Sequence, residues 1–470
     1  MAQEIKFGTD GWRGILADDF TLENVRRVAG AIASYVLQKE TASKGLVIGY
    51  DTRFLSRRFA EATAEVVAAA GIPVKLADDY TPTPAVSYAI KHLGAAGGVV
   101  VTSSHNPWNW NGIKYKASYG GSATTDIIRF LEEEVRAGAA PTGPKANIEP
   151  ADFKPAHVAA LTGFVDMASI AKANFKFAID CMHGSGRGVL AGIFARHGVE
   201  HIEIRGDVNP LFPGINPEPI EPHVKQLQET VLAEGCHAGL ATDGDADRIG
   251  AVAEDGSFVD SHKIYSILLR WLLERRKWPG EVVKAFNSTK MVDRICAKHG
   301  RKMHETGIGF KYICELMLTR DILIGGEESG GIAIPRHLPE RDGILNSLLL
   351  AGVMAEEKRS LAQLVSDLQR EFGEHHYGRV DAHVSHEVKE EAMRRATAGE
   401  ITRLGAYPVM RTENTDGVKF YVDAPRPSVN AAEPWLLMRS SGTERLLRLY
   451  AEAGSRELMR ELLDSAQALL

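Results

Sequence analysis

Three aspartates alternate within five residues of the string ATDGDADRIGAVAEDG: Asp243, Asp245 and Asp247. In a tight loop this spacing aims three hard oxygen ligands at one point, a set that suits Mg2+ or Ca2+ and not zinc. Without a cation three carboxylates so close would repel, and the alternative is a solvated acidic turn. An EF-hand would place Glu254 at its twelfth position but needs Gly at the sixth, where Arg248 stands. It also needs flanking helices, and IGAVAEDGSFVD reads as a hairpin turning at Asp255–Gly256. The aspartyl-phosphatase pattern D-x-D-x-[TV] fits no better, because Asp247 occupies the Thr or Val place.

Three further strings carry chemistry. VVVTSSHNPWNWNGIKY ends an apolar run at Thr102, then presents Ser103, Ser104, His105 and Asn106 before Pro107 blocks regular continuation. A serine at a strand end is placed to react as a nucleophile, and His105 and Lys114 can supply protons or offset phosphate charge. Read alone, the string also describes a polar turn. In GGEESGGIAIPRHLPERDG, Glu327 and Ser329 can bind sugar hydroxyls, and His337 and Arg341 follow in a Pro-bounded loop; a plain turn reads the same way. MRSSGTERLLRLY joins the Arg439 guanidinium to the hydroxyls of Ser440, Ser441 and Thr443, with Gly442 allowing backbone N–H groups to approach an anion. No G-x-x-x-x-G-K-[ST] occurs, so this cradle does not imply ATP. The alternative is a helix start capped by Ser441 or Thr443.

Buried strands are expected to deliver these loops: Leu46–Asp51, Gly97–Ser104, Phe175–Asp180, Ala238–Asp243 and Asp321–Glu328, each running into polar or small residues. Between them lie helical patterns such as 56–70, opened by Ser56 as a cap and closed by Gly71. Strand, polar loop and helix in repetition is the pattern of open α/β sheets, whose chemistry sits beyond the strands' carboxyl ends. VVAAAGIPVKL, IFARHGVEHIEI and ICAKHGRKMHE each read as helix, glycine (Gly71, Gly198, Gly300) and strand, about a hundred residues apart, a domain's length. The division expected is residues 1–150, 151–255 and 256–372 as three related α/β domains with mixed sheets, and 373–470 as a smaller α+β domain. Residues 137–155, rich in Gly, Ala and Pro, read as the first linker.

The 470 residues exceed what one core organises. With 44% hydrophobic and 25% charged residues the composition is that of a globular protein, and a net charge of −6 argues against nucleic acid as partner. An anionic substrate must then meet a local cationic cluster. Four separated cysteines in no C-x-x-C indicate neither a disulfide framework nor zinc. No apolar leader opens the chain and no run approaches a membrane span, so a cytoplasmic location is expected.

Together, in this order, the four loops resemble the α-D-phosphohexomutase family, in particular phosphoglucomutase/phosphomannomutase. The resemblance runs from FGTDGWRG to RSSGTE, essentially the whole chain: TSSHNP is similar to the phosphoserine loop, DGDADR to the magnesium loop, GEESGG to the sugar-binding loop and RSSGTE to the phosphate-binding loop. It implies four domains around a central cleft, a phosphorylated Ser104, and Mg2+ held by Asp243, Asp245, Asp247 and the Ser104 phosphate. It further implies that Arg248 neighbours that phosphate, that Lys114, His105 and Arg13 assist catalysis, and that Glu327 and Ser329 hold sugar hydroxyls, with His337 and Arg341 in the substrate set. Arg439, Ser441, Gly442 and Thr443 would clamp the phosphate not being transferred.

The resemblance also implies the reaction: interconversion of hexose 1-phosphate and hexose 6-phosphate through a glucose 1,6-bisphosphate type of intermediate, by a monomer or homodimer acting on a small sugar phosphate. Ser103 stands where the family often has Ala; Ser104 is chosen because it precedes His-Asn-Pro. Gly331 stands where phosphomannomutase-like and phosphoglucosamine-mutase-like members often carry His, and TGIGFKY and HLPERDG are closer to the phosphoglucomutase forms of their loops. These features favour glucose over glucosamine and leave mannose open. Arg445 replaces the Pro that usually follows GTE. The rivals are a phosphoglucosamine mutase, a sugar phosphatase and a non-catalytic sugar-phosphate-binding protein.

Overall fold

The computed structural model describes residues 5–138, 140–428, 430–440 and 446–470. They form two compact units, one of Met1–Ile264 with Gly309–Gln363, the other of Tyr265–Ile308 with Leu364–Leu470.

In the first unit the chain builds a six-stranded mixed sheet from β1 (Trp12–Ile15), β2 (Leu46–Tyr50), β3 (Val74–Ala77), β4 (Gly97–Val101), β5 (Trp110–Ala117) and β6 (Ile148–Ala151), in the order β1-β5-β4-β2-β3-β6. β4, β2, β3 and β6 are parallel, while β5 runs antiparallel to both β4 and β1. Every residue of β2 and β4 is buried, as continuous apolar runs between helices must be. A second mixed sheet has β7 (Lys176–Asp180), β8 (Glu200–Ile204), β9 (Ala238–Thr242), β10 (Ile249–Ala253) and β11 (Phe258–Val259) in the order β11-β10-β9-β7-β8. β10 and β11 are the hairpin expected across Asp255–Gly256. The strand Ile322–Gly326 pairs antiparallel with Ile332–Ala333, so GEESGG occupies the turn between them.

In the second unit, Glu281–Ala285 and Met303–Thr306 pair in parallel. The C-terminal part is an antiparallel sheet in the order His376–His383, Leu446–Ala453, Trp435–Ser440, Val418–Val422, Tyr407–Glu413, Arg403–Leu404. It is joined by helices His386–Thr397, capped by Ser385, and Arg456–Gln467. No helix among the described residues is long and apolar enough to cross a membrane.

The three helix–glycine–strand phrases recur as structure. Gly71, Gly198 and Gly300 all have positive φ (85°, 71°, 59°), where a residue with a Cβ is strained. Each feeds a strand that pairs in parallel: β3 with β2, β8 with β7, and 303–306 with 281–285.

Two expectations need correcting. The helix expected over 56–70 spans Ser56–Ala69, but its cap position is Leu55, at φ 61°, and the Ser56 hydroxyl donates to Asp51 Oδ1 instead of capping. A buried carboxylate at the strand end outcompetes the local cap. Residues 137–155 are not a bare linker, because they contribute the edge strand β6, where Pro150 is tolerated as only an edge allows.

Candidate active site

The predicted strands stop short of their polar tails: β4 ends at Val101 and β9 at Thr242. Ser104 and Asp243 therefore lie in loops beyond the strand ends, and those loops meet. The Ser104 hydroxyl donates to Asp243 Oδ2 at 2.7 Å, and both residues are fully buried. Asp243 Oδ1 accepts the N–H groups of Asp247 and Arg248 at 3.0 and 3.1 Å, which closes the aspartate turn on itself.

The ligand oxygens of Asp243, Asp245 and Asp247 lie within 4.8 Å of one another, and all three side chains are inaccessible to solvent. Asp245 Oδ2 accepts from the Thr83 hydroxyl at 2.5 Å and from Lys114 Nζ at 2.7 Å; Asp247 Oδ2 accepts from Lys114 Nζ at 2.9 Å. Lys114 Nζ is also 2.9 Å from Asp10 Oδ2. The Oδ1 atoms of Asp245 and Asp247 are buried with no hydrogen-bond partner among the described residues. Buried carboxylate oxygens without a donor are costly, and a set of three converging carboxylates is the donor chemistry of a hard divalent cation. The residues fit Mg2+.

The electrostatics follow from burial and charge. Burial raises the Asp243 carboxyl well above its usual range, and the charges of Asp245 and Asp247 push it further. Burial also works against the ionised forms of Asp10 and Asp245, yet the Lys114 ammonium overrides it and holds both below the ordinary carboxylate range. Lys114 answers in kind: burial disfavours its charge, but Asp10, Asp245 and Asp247 keep it a firm cation. Arg13, on β1, donates to Asn106 Oδ1 at 2.7 Å; burial and then the like charge of Arg248 lower its proton affinity. Arg248 is buried, 3.6 Å from Glu218, 3.8 Å from Asp243 and 3.9 Å from Asp247. Arg13, bonded to Asn106 of the serine loop, and Arg248, near the Asp243 that bonds Ser104, repel each other, and an anion between them would relieve both.

Other predicted residues distribute unevenly. His105 is half-buried beside Ser104 in the chain. Glu327 is buried in the GEESGG turn, where burial raises its carboxyl, with Arg341 Nη1 3.5 Å away; Ser329 is half-buried in the same turn. Arg341, expected in the substrate set, bonds Asp10 and lies 2.8 Å from Asp247 Oδ2. A Cβ on Gly331 would stand 2.3 Å from Arg341 Cδ, so the residue without a side chain makes room for the arginine. His337 is occupied differently: its Nε2 is 3.1 Å from Asp342 Oδ2, which His157 Nε2 also reaches at 2.7 Å, and its ring stacks on Tyr88. In the second unit, Arg439 Nε donates to Asp416 Oδ1 at 2.9 Å. Ser441, Gly442 and Thr443, with Arg445, lie outside the described residues.

Several site residues escaped the sequence reading. Asp10, in the same GTDGWRG string as Arg13, anchors Lys114, Lys116 and Arg341. Thr83, first residue of the helix Thr83–Leu93, bonds Asp245. The turn DCMHGSG after β7 supports the aspartate loop: Ser185 N–H donates to Gly244 O at 2.9 Å, and Met182 and His183 stand consecutively at positive φ, 48° and 57°. Charged or glycine-rich tripeptides at strand ends were the available signal.

Comparisons with known proteins bear on this geometry. Four family models match in chain order: phosphoglucomutase/phosphomannomutase alpha/beta/alpha domains I, II and III over residues 4–141, 155–256 and 260–372, and the C-terminal domain over 418–468. A phosphoglucomutase/phosphomannomutase of Thermococcus kodakarensis is 28% identical, covering 99% of this chain and 98% of its own. A phosphoglucosamine mutase of Carboxydothermus hydrogenoformans is 30% identical at the same coverage, 99% and 98%. The crystal structure of a candidate phosphomannomutase from Thermus thermophilus superimposes with a TM-score of 0.87 at 34% identity, covering 100% of this chain and 99% of that one. A buried serine bonded to an aspartate cage, carried on mixed α/β sheets that these relatives share end to end, thus has one home: the chain belongs to the phosphoglucomutase/phosphomannomutase family of phosphohexomutases, isomerase-class phosphotransferases acting on sugar phosphates.

Proposed function

We propose that this enzyme interconverts hexose 1-phosphate and hexose 6-phosphate through phospho-Ser104, with glucose the favoured hexose and mannose open. The observation that carries the reading is the 2.7 Å bond from the Ser104 hydroxyl to Asp243 Oδ2, which puts a nucleophile against a three-carboxylate cage. Asp243, Asp245 and Asp247, with a phosphoserine oxygen, would hold Mg2+. When bound, the ion supplies charge stabilisation to the transferring phosphoryl group.

The chain's own residues take the remaining work, since phosphoryl transfer needs aligned oxygens and offset negative charge. In the first half-reaction the free hydroxyl of the hexose phosphate attacks phosphorus, its O–P bond forms, the Ser104 Oγ–P bond breaks, and the proton lost by the attacking hydroxyl ends on Ser104 Oγ. The hexose 1,6-bisphosphate turns around, and Ser104 Oγ takes the other phosphoryl group by the reverse steps. Asp243 Oδ2 orients the free serine between them. Lys114, a firm cation held by three carboxylates, is suited to balancing charge, and His105, next to Ser104 in the chain, is the candidate proton carrier. Arg13 and Arg248 would receive the phosphoryl oxygens, and their mutual repulsion favours an anion there. Glu327 and Ser329 would hold sugar hydroxyls. His337 and Arg341 would act at one remove, through Asp342 and through Glu327. Arg439 with Ser441, Gly442 and Thr443 would grip the distal phosphate, and the functional division at residues 150, 255 and 372 would then give each loop its own domain.

Glucose preference is supported by the Gly331–Arg341 pair, which leaves no room for the His of other members. The 30% identity to a phosphoglucosamine mutase favours the second reading, glucosamine phosphate. Intact-mass measurement should find a phosphoryl group on fresh enzyme and none on Ser104→Ala, which should be inactive; normal turnover by that variant would sink the assignment. Relative kcat/KM on glucose, mannose and glucosamine 1-phosphates decides between the substrates.

A further inference from the structure

We infer that Arg53 is the positioning residue of the phosphoryl-carrying loop: it sets the direction of the Ser104 hydroxyl by gripping the loop's backbone, without touching that hydroxyl. The inference rests on the reading of Ser104 as nucleophile. Ser104 stands three residues past the end of β4 at φ 51°, a backbone state that a residue with a Cβ seldom adopts and that its surroundings must therefore enforce.

Both polar backbone groups of Ser104 are held by one unit. Its carbonyl accepts from Arg53 Nη2 at 2.6 Å. Its N–H donates to Thr102 Oγ1 at 2.9 Å, and the Thr102 hydroxyl in turn donates to Asp51 Oδ2 at 2.6 Å. Asp51 closes the unit, because the same Oδ2 lies 3.2 Å from Arg53 Nε. Arg53 then reaches along the loop, donating to the carbonyls of Asn106 at 2.7 Å, Pro107 at 2.8 Å and Trp110 at 3.1 Å. Four carbonyls from one segment, residues 104 to 110, thus converge on a single buried guanidinium. The Phe212 ring lies 5.1 Å from its centre.

A core ion pair that serves only to be buried has no reason to direct its donors in this way. Every hydrogen bond that the Arg53 side chain donates, among the described residues, goes to this loop, and its ion pair goes to the carboxylate that steadies the loop's other end. A guanidinium suits this role because it is planar and permanently charged, with five N–H donors in a fixed fork. A lysine ammonium keeps the charge but cannot span four carbonyls.

The test uses the full-length enzyme with Mg2+, glucose 1-phosphate and glucose 1,6-bisphosphate. Displacing a reacting atom by about 1 Å costs about 10²-fold, so Arg53→Lys should lower kcat by about that factor and leave KM within about threefold. Thr102→Val, which breaks the hold on the Ser104 N–H, should lower kcat about tenfold, again with KM held, and Thr102→Ser should restore most of the loss. Because both grips act on one residue, the double variant should lose less than the product of the single losses. A folded Arg53→Lys enzyme with kcat near wild type, or with KM rising in step with the kcat loss, overturns the inference. So do equal activities of Thr102→Val and Thr102→Ser, and this pair decides the matter if Arg53→Lys does not fold. An active Ser104→Ala would remove the nucleophile reading and this inference with it, whereas an inactive Ser104→Ala beside a fully active Arg53→Lys would remove this inference alone.

Discussion

The aspartate loop and the serine loop touch where no side chain intervenes, and Gly244→Ala tests that contact. A Cβ at 244 would lie 2.5 Å from the Ser104 carbonyl oxygen and 3.3 Å from Pro217 Cγ, against 3.4–4 Å for an ordinary contact. The carbonyl cannot retreat freely, since Arg53 Nη2 holds it at 2.6 Å. One loop must therefore shift by roughly 1 Å, and a shift of that size at the reacting groups costs about 10²-fold in rate. Gly244 is not at positive φ, so the substitution probes space alone and not backbone strain.

Expressed as energy, a hundredfold loss in kcat is about 2.7 kcal/mol of transition-state stabilisation. Overpacking itself should cost about 1–3 kcal/mol of stability. At about 2–4 °C per kcal/mol, Tm should fall by about 2–12 °C. A coupled assay on glucose 1-phosphate and a melting curve on the same preparations measure both. If Gly244→Ala melted lower yet kept wild-type kcat, the two loops would not need their close approach, and the reasoning would fail.

Three further outcomes are expected. Chelation should abolish turnover and Mg2+ restore it, and calorimetry should show Mg2+ binding weakened in Asp245→Asn; full activity in excess chelator would exclude the cage as a metal site. Lys114→Met, measured in chelator, should destabilise the protein by about 3–5 kcal/mol, because it leaves Asp10, Asp245 and Asp247 buried without their shared cation. Asp10 and Asp245 titrate below their usual range in the fold, so that stabilisation is complete above about pH 4 and fades below it; urea midpoints of variant and wild type should converge on acidification. Lys419, buried with its Nζ 4.0 Å from the Phe286 ring and 4.6 Å from that of Trp435, is lowered by burial to about 7. The unfolded chain then binds a proton that the fold does not between about pH 7 and 10, so stability should rise with pH across that window, and Lys419→Met should flatten the slope.

What was legible in the sequence was chemistry written in adjacent residues. Asp243, Asp245 and Asp247 could be read together because one turn holds them, and the strands before Ser104 and Asp243 because apolar runs end there. Contacts made across the chain were not legible. Thr83 meets Asp245 over 162 residues and Arg53 meets Ser104 over 51, and nothing local in either residue announces the partner. Ser56 has the spacing of a cap, but the carboxylate that claims its hydroxyl lies back across the turn at Asp51. The pairing of His337 with Asp342 is only half legible, because the second imidazole on that carboxylate, His157, lies 185 residues away in the chain.

The site's electrostatics explain why one site would need both a phosphate and a cation. Asp243 is burdened by burial and by two neighbouring carboxylates, and Lys114 reaches only the Oδ2 atoms of those neighbours. Arg13 is burdened by burial and by the charge of Arg248. Arg248 stands 3.8 Å from Asp243 and 3.9 Å from Asp247, so charges of both signs crowd around Ser104 within a fold that has already desolvated them. A phosphoryl group on Ser104 relieves the arginines but worsens the carboxylates; a divalent cation among the carboxylates does the reverse. Only together do they balance, so phosphoserine and Mg2+ should bind with positive coupling: the affinity for Mg2+ should be higher in the phosphorylated enzyme than in the dephosphorylated one. Equal affinities in the two forms would mean that the serine and the cage, though bonded, do not share their charge.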